Sequence, residues 1–310
     1  LLPPSKIDSN ASAILRSYRR HAEWFRERGF FLGAARLAIA TRRIRGRGPL
    51  QYRDMEFWAD TDRAVYRPRY TVEEMQRYEN FEYRPGVYVR RFVQQEDGTV
   101  RVEGTSAPGG EKLEFRAKRL VLGAGTLNTA SIVLRSLEKE GVPLPLVSNP
   151  YTYYPCLVRS RLGKPTRDLR HSLTQLMILY EPEGRPGQAS VAQVYSYRSL
   201  LTFKLVKESP LAFPESVRFM RLLQPYFIIV GIHHEDLPGE GKRLTLHADG
   251  RSRIVYKRTK EEEQWRLRRE KALMRHFGKL GCTVLKRIDP GHGSSIHYAG
   301  CLPIDRKSTR

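Results

Sequence analysis

FRAKRLVLGAGTLNTASIVLRSL, residues 115–137, is the stretch on which the reading of this chain turns. A charged lead-in runs into Leu120-Val121-Leu122, a short apolar run that predicts one buried strand. Gly123-Ala124-Gly125 follows as a sharp turn, and Ala130, Val133, Leu134 and Leu137 then recur at helical spacing. Strand, glycine turn and helix together bring backbone close to a ligand and aim helix N–H groups at it. The same pattern also describes an ordinary β–α corner, because Gly-Ala-Gly lacks the full dinucleotide fingerprint.

Upstream, Ser9 to Arg28 reads as a helix with Ile14, Leu15, Tyr18, Ala22 and Phe25 on one stripe. Phe31 to Ile44 reads as a second helix with Leu32, Ala35 and Ile39 on its apolar face. The basic run Arg42 to Arg47 then reads as a solvated helix end, which Gly48-Pro49 stops. Tyr52, Phe57, Trp58, Tyr66 and Tyr70 show no clean period. Thr71 with Glu74 makes a capping-box pattern for a short helix to Tyr78. Asn80 to Val93, Val100 to Val102 and Leu113 to Phe115 form a strand meander feeding the central unit.

Downstream, Asn149 to Pro155 reads as an aromatic, proline-stiffened loop. Leu173 to Tyr180, Ala189 to Tyr197 and Tyr226 to Ile232 are β-type runs, which predict a largely antiparallel sheet with insertions. Phe213 to Leu223 is open between helix and irregular chain. Leu244 to Leu246 and Ile254 to Tyr256 flank Asp249-Gly250 as a hairpin. Thr259 to Leu280 is the clearest helix, with Thr259 and Glu262 as a capping box and Gly281 as its end. Cys282 to Leu285 predicts a further strand. The fold class expected is α+β.

The 310 residues, 40% hydrophobic and 28% charged, suit one large globular domain or two modest ones. No apolar run approaches the ~20 residues of a membrane span. Leu1 is not an initiator methionine, so the chain reads as a processed product or a fragment. Three scattered cysteines, Cys156, Cys282 and Cys301, argue against a disulfide scaffold and fit a reducing, cytoplasmic setting. The net charge of +22 suits contact with an anionic surface. It predicts no specific nucleic-acid partner, because no zinc finger, helix-turn-helix or aromatic RNA-binding signature accompanies it.

The tail from Gly291 to Pro303 gathers His292, His297, Ser294, Ser295 and several glycines. An imidazole can take a hydroxyl proton near neutral pH, and glycines let backbone approach a flat ligand. The plainer alternative is a loop whose histidines bond only to backbone. His171, His233, His234, His247 and His276 take that plainer reading. Metal ligation by His292 and His297 lacks further ligands at a telling spacing. No Gly-x-Ser-x-Gly elbow is present.

Two of these stretches resemble one family. Ala117 to Ala130 is similar to the "ak.vvlaaGa..tp.ll" segment of the glucose–methanol–choline FAD-dependent oxidoreductases. His297-Tyr298-Ala299-Gly300-Cys301-Leu302-Pro303 resembles that family's "HxxGTxxM" segment. The resemblance runs from about Tyr66 onward. It implies an α/β flavoprotein-like chain with an incomplete FAD-binding domain and a largely antiparallel substrate domain. Its divisions are an N-terminal helical and irregular segment over 1–65 and FAD-domain parts over 66–148. A substrate domain over 149–256 and a return helix with the histidine loop over 257–310 complete them.

By that resemblance the chain is an enzyme, oxidising a CH–OH group of an alcohol or sugar by hydride transfer to FAD. His297 is then the catalytic base. Gly123, Ala124 and Gly125 pass the cofactor, Val89 holds the adenine through backbone, and Tyr298, Ala299 and Gly300 shape the rim. Three departures qualify this. The family's Gly-x-Gly-x-x-Gly unit is absent, and the chain stops soon after His297. Cys301 stands for the usual threonine, with Ile304 near the usual methionine. A second chain supplying the missing parts is therefore an expected partner. A truncated, non-catalytic binding or structural subunit is the alternative.

Overall fold

Period-two alternation beats helical spacing near the start of the chain. Where a helix from Phe31 to Ile44 is expected, the computed structural model has a strand, β1 (Phe30–Ala34). Phe30 and Leu32 are buried and Phe31 is exposed. The reason is a partner far away: β1 pairs antiparallel with β8 (Leu176–Tyr180), Phe30 opposite Tyr180 and Leu32 opposite Ile178. Both strands then turn alternate residues to one core. The structure describes residues 2–56, 58–164, 168–182, 189–196, 206–291, 293–294 and 297–303. Phe57, His292, Ser295 and Ile304 lie outside them. The described chain mixes helices with antiparallel sheet, an α+β protein.

The chain divides into two units, each assembled from three separated segments. The first takes Leu1–Tyr70, Pro150–Glu235 and Gln264–Gly291. Its six-stranded antiparallel sheet has the order β1-β8-β9-β10-β7-β13, with β7 (Tyr151–Val158), β9 (Ser190–Tyr195), β10 (Phe227–His234) and β13 (Cys282–Val284). The expected loop Asn149–Pro155 is thus largely the start of an inner strand. Pro155 fits because it stands just past the β13 pairing, where its carbonyl still accepts from Leu285 N at 3.0 Å.

The predicted first helix is two: α1 (Ser9–Arg20) and α2 (Ala22–Arg26), broken at His21. Asp8 caps α1 by accepting from Ala11 N at 2.8 Å. Ile14 and Tyr18 of α1, Phe25 of α2, and the strands share one core with Leu273 and Phe277. Those last two lie on α6 (Lys260–Lys279). Phe213–Leu223 is helical, α5.

The second unit takes Thr71–Asn149, Asp236–Glu263 and His292–Arg310. The meander forms as β2 (Val87–Gln94), β3 (Val100–Ser106) and β4 (Lys112–Ala117). The hairpin forms as β11 (Lys242–Leu246) and β12 (Ser252–Tyr256), with β5 (Pro143–Pro145) beside β11. Helix α3 is Pro68–Met75, starting before Thr71, because Pro68 can open a helix without losing a bonded N–H. The capping box at Thr259 is reciprocal: its N donates to Glu262 Oε2 at 2.8 Å, and Glu262 N donates to its Oγ1 at 3.2 Å.

Leu120-Val121-Leu122 is not a strand, contrary to expectation. No strand of the described chain pairs with it, and Val121 is 91% exposed. An apolar run becomes a strand only where a neighbour satisfies its backbone. No helix among the described residues is long and apolar enough to cross a membrane.

Candidate functional site

In the second unit the glycine corner meets the histidine loop. Helix α4 (Thr126–Ser136) starts at Gly125, whose φ of 78° suits glycine and which supplies no side-chain cap. At Gly123 and at Gly125 an added Cβ would meet nothing within 4 Å, so the corner opens onto space. Gly123, Ala124 and Gly125 are all exposed. Thr126, the next residue, donates its hydroxyl to the carbonyl of Tyr298 at 2.5 Å. Tyr298 directly follows His297, which is exposed.

Strand pairing fixes the rest of the loop. Tyr298 and Ala299 form β14 (Tyr298–Ala299) against β6 (Val147–Ser148). Gly300 has a φ of 83°, and a Cβ there would press on Val147 at 3.2 Å, so only glycine fits easily. Cys301 is buried with Ala130, Leu146 and Leu244, and Leu127 and Tyr298 pack against them. Burial pushes the Cys301 thiol pKa up. A small side chain at this position therefore serves packing.

Val89 lies elsewhere in the unit. It is half-buried on β2, an edge strand, opposite Gly104, with a register shift just after it. Phe92 N of that strand donates to Ser136 Oγ at 2.8 Å. Ser136 ends α4, an 11-residue helix, so about 15 Å of helix separates it from the glycine corner. The structure thus brings Gly125 and Tyr298 together and ties Val89's strand to the far end of the same helix.

A buried ion cluster supports the loop from beneath, and the sequence reading missed it. Lys242 Nζ is buried and donates to Asp236 Oδ1 at 2.5 Å and Glu262 Oε1 at 2.6 Å. Asp236 Oδ2 accepts from Tyr256 OH and from Ser148 N, both at 2.8 Å. Ser148 is the residue paired with Tyr298. Burial, then the bond to Asp236, raises the Tyr256 pKa. A lysine on an alternating strand gives no sequence signal of burial.

The first unit holds a second polar centre. Glu270 of α6 accepts from Thr152 Oγ1 at 2.8 Å, Tyr154 OH at 2.7 Å, His234 Nε2 at 3.0 Å and Arg287 Nε at 2.6 Å. Burial opposes its charge, yet the bonds from His234, Arg287 and Tyr154 outweigh that and hold its carboxyl below the usual range. Burial lowers the His234 pKa more than Glu270 raises it, which favours the neutral ring. Its contact with Glu270 is a hydrogen bond of 3.0 Å. With Nε2–H donating, Nδ1 accepts from Ser190 Oγ at 3.2 Å.

Serine, histidine and carboxylate stand in the order of a hydrolytic triad. Access rules that chemistry out: Ser190 is 0% exposed, His234 3% and Glu270 0%. The cluster is a clasp joining α6 to β7, β9 and β10. His276 is likewise a core residue, stacked on Phe30 at 5.1 Å and bonded through Nδ1 to Ala272 O.

No group of three or more histidine, cysteine or acidic side chains suited to a metal occurs among the described residues. Neither a protein-family model nor a curated protein matches this chain.

Proposed function

We propose that this chain is part of an FAD-dependent oxidoreductase of the glucose–methanol–choline type, acting on a CH–OH group of an alcohol or sugar. One contact carries the reading: Thr126 Oγ1 on Tyr298 O, which joins the glycine corner to the histidine loop inside one unit. The open corner at Gly123 and Gly125 and the uncapped start of α4 fit one edge of a flat, anionic cofactor. Bound FAD would supply the hydride acceptor. Gly123, Ala124 and Gly125 would hold it by backbone, and Tyr298, Ala299 and Gly300 would form the rim. Val89, on an edge strand with outward-facing backbone groups, would hold the adenine. His297 would take the substrate hydroxyl proton at its imidazole.

In this reading the second unit is an incomplete FAD-binding domain, and the six-stranded sheet of the first is the substrate domain. The protein would work in the cytoplasm. The test adds FAD and the flanking polypeptide to the chain and follows visible flavin absorbance with alcohol-dependent dye reduction. Flavin retained with dye reduction, and reduction lost in His297→Ala, is the expected result. No flavin bound under those conditions overturns the reading.

One observation favours a second reading, a non-catalytic binding or structural subunit. The chain carries no Gly-x-Gly-x-x-Gly stretch to cradle a cofactor pyrophosphate. In that case the reconstituted complex forms and binds no flavin.

A further inference from the structure

A cavity of about 530 Å³ lies in the first unit and is lined by none of the residues assigned above. One wall is the strap Leu2, Pro3, Pro4 and Ser5. Thr41 pins it by donating its hydroxyl to Pro3 O at 2.7 Å. The other wall is Ala35 to Ile39, which Tyr66 holds through its N on Ala38 O at 2.8 Å. Both walls are mainly apolar.

Two cationic side chains, Arg36 and Arg47, line this space, and no carboxylate does among the described residues. The Arg47 guanidinium lies 5.8 Å from the centre of the Tyr66 ring. Its Nη1 is buried and has no hydrogen-bond partner among the described residues. Buried donors are nearly always satisfied, so an orphaned one beside a cavity points to a missing acceptor. The volume lies within the range of small-molecule sites, which are apolar with a few placed polar groups.

We propose that this cavity binds a monocarboxylate carried on an apolar body. The carboxylate lies on Arg47, with Arg36 at the rim, and the body lies along Leu2, Pro4, Leu37 and Ile39. A guanidinium matches carboxylate geometry and is weakly hydrated, so it suits an apolar wall. None of the lining residues opens a helix, so the site lacks the N–H array that favours a free phosphate. The proposal is independent of the flavin reading, whose named site residues all lie in the other unit.

Calorimetric titration of the full chain with sodium octanoate tests it, at about 0.15 M salt to screen diffuse binding to a +22 protein. Octanoate saturates one site, while octan-1-ol and inorganic phosphate bind at least about tenfold more weakly. Arg47→Gln weakens octanoate about tenfold or more, and Arg47→Lys recovers part of the loss. Arg253→Gln, an exposed arginine of the other unit, changes nothing. Should Arg47→Gln fail to fold by circular dichroism, Arg36→Gln, an exposed side chain, carries the same expectation of weakened binding. Equal affinity for octanoate and octan-1-ol, no saturation, or unchanged affinity in the arginine variants overturns the proposal.

Discussion

The two units solve burial in opposite ways. In the first, a buried anion, Glu270, is surrounded by donors and by Arg287. In the second, a buried cation, Lys242, is surrounded by Asp236 and Glu262. Their apolar cores differ as well. The first unit buries Ile14, Phe25, Phe30, Ile178, Ile228, Ile232, Leu273 and Phe277 in one cluster with many others. The second buries a smaller cluster of Ala130, Leu146, Leu244 and Cys301, with three half-buried neighbours, and Val102, Ile132, Leu134 and Leu246 are buried outside it, among the described residues. A rich core lets the first unit carry its polar clasp as an addition to packing. In the second unit, the ion cluster links β6, β11 and β12 through Ser148, Lys242 and Tyr256, all bonded to Asp236.

The largest expected effect breaks the clasp. Glu270→Ala leaves Arg287 and the buried donors without their acceptor and costs about 3–5 kcal/mol. Trp24, Trp58 and Trp265 all belong to the first unit, so tryptophan fluorescence in urea reads that unit alone. An unchanged midpoint would mean that Glu270 is not the centre of the clasp.

Acid comes next. Burial lowers the pKa of His171, His234 and His276, all in the first unit, below their ordinary 6.5. As pH falls the unfolded chain takes their protons first, so stability is full above about 6.5 and declines below it. Glu270, with its lowered pKa, adds a second loss below its ordinary 4.5, as pH falls through its folded value. Melting followed by tryptophan fluorescence should therefore drop between about pH 7 and about pH 5, and His276→Phe should flatten part of the drop. A flat profile in the parent chain contradicts the burial of these imidazoles.

A smaller change sharpens the second unit. Tyr256→Phe removes one hydrogen bond to the Asp236 carboxylate and costs about 1.5–3 kcal/mol. Hydrogen exchange read on peptides of β11 and β12 should speed up while those of β7 and β10 stay protected. Equal acceleration in both sets would show that the two clusters share one unfolding step. Smallest of all is Val121→Ser. With 91% of the side chain exposed, stability should stay within about 0.5 kcal/mol by chemical denaturation. A larger loss would mean that Val121 is covered in solution.

Local signals carried well where an element satisfies itself. The α6 capping box, the α4 start at Gly125, the β11–β12 hairpin and the meander all follow from neighbours in sequence. Elements that need a distant partner do not show in the local pattern. Phe30–Ala34 shows a helical stripe as readily as an alternation, and only Leu176–Tyr180 decides between them. Tyr151–Pro155 looks like a loop because proline and tyrosine dominate it, yet β10 and β13 flank its strand. Leu120–Leu122 failed in the reverse direction, as a strand-like run with no strand beside it.

The candidate site divides along the same line. By itself, the amino-acid sequence determined the glycine corner and the helix behind it, because backbone freedom and helical periodicity are properties of adjacent residues. Only the tertiary structure decided that Thr126 meets Tyr298, and that Lys242 and Glu270 are buried. Charge neutralisation in a core depends on side chains gathered from separated segments, and no local pattern encodes which carboxylate will find which cation.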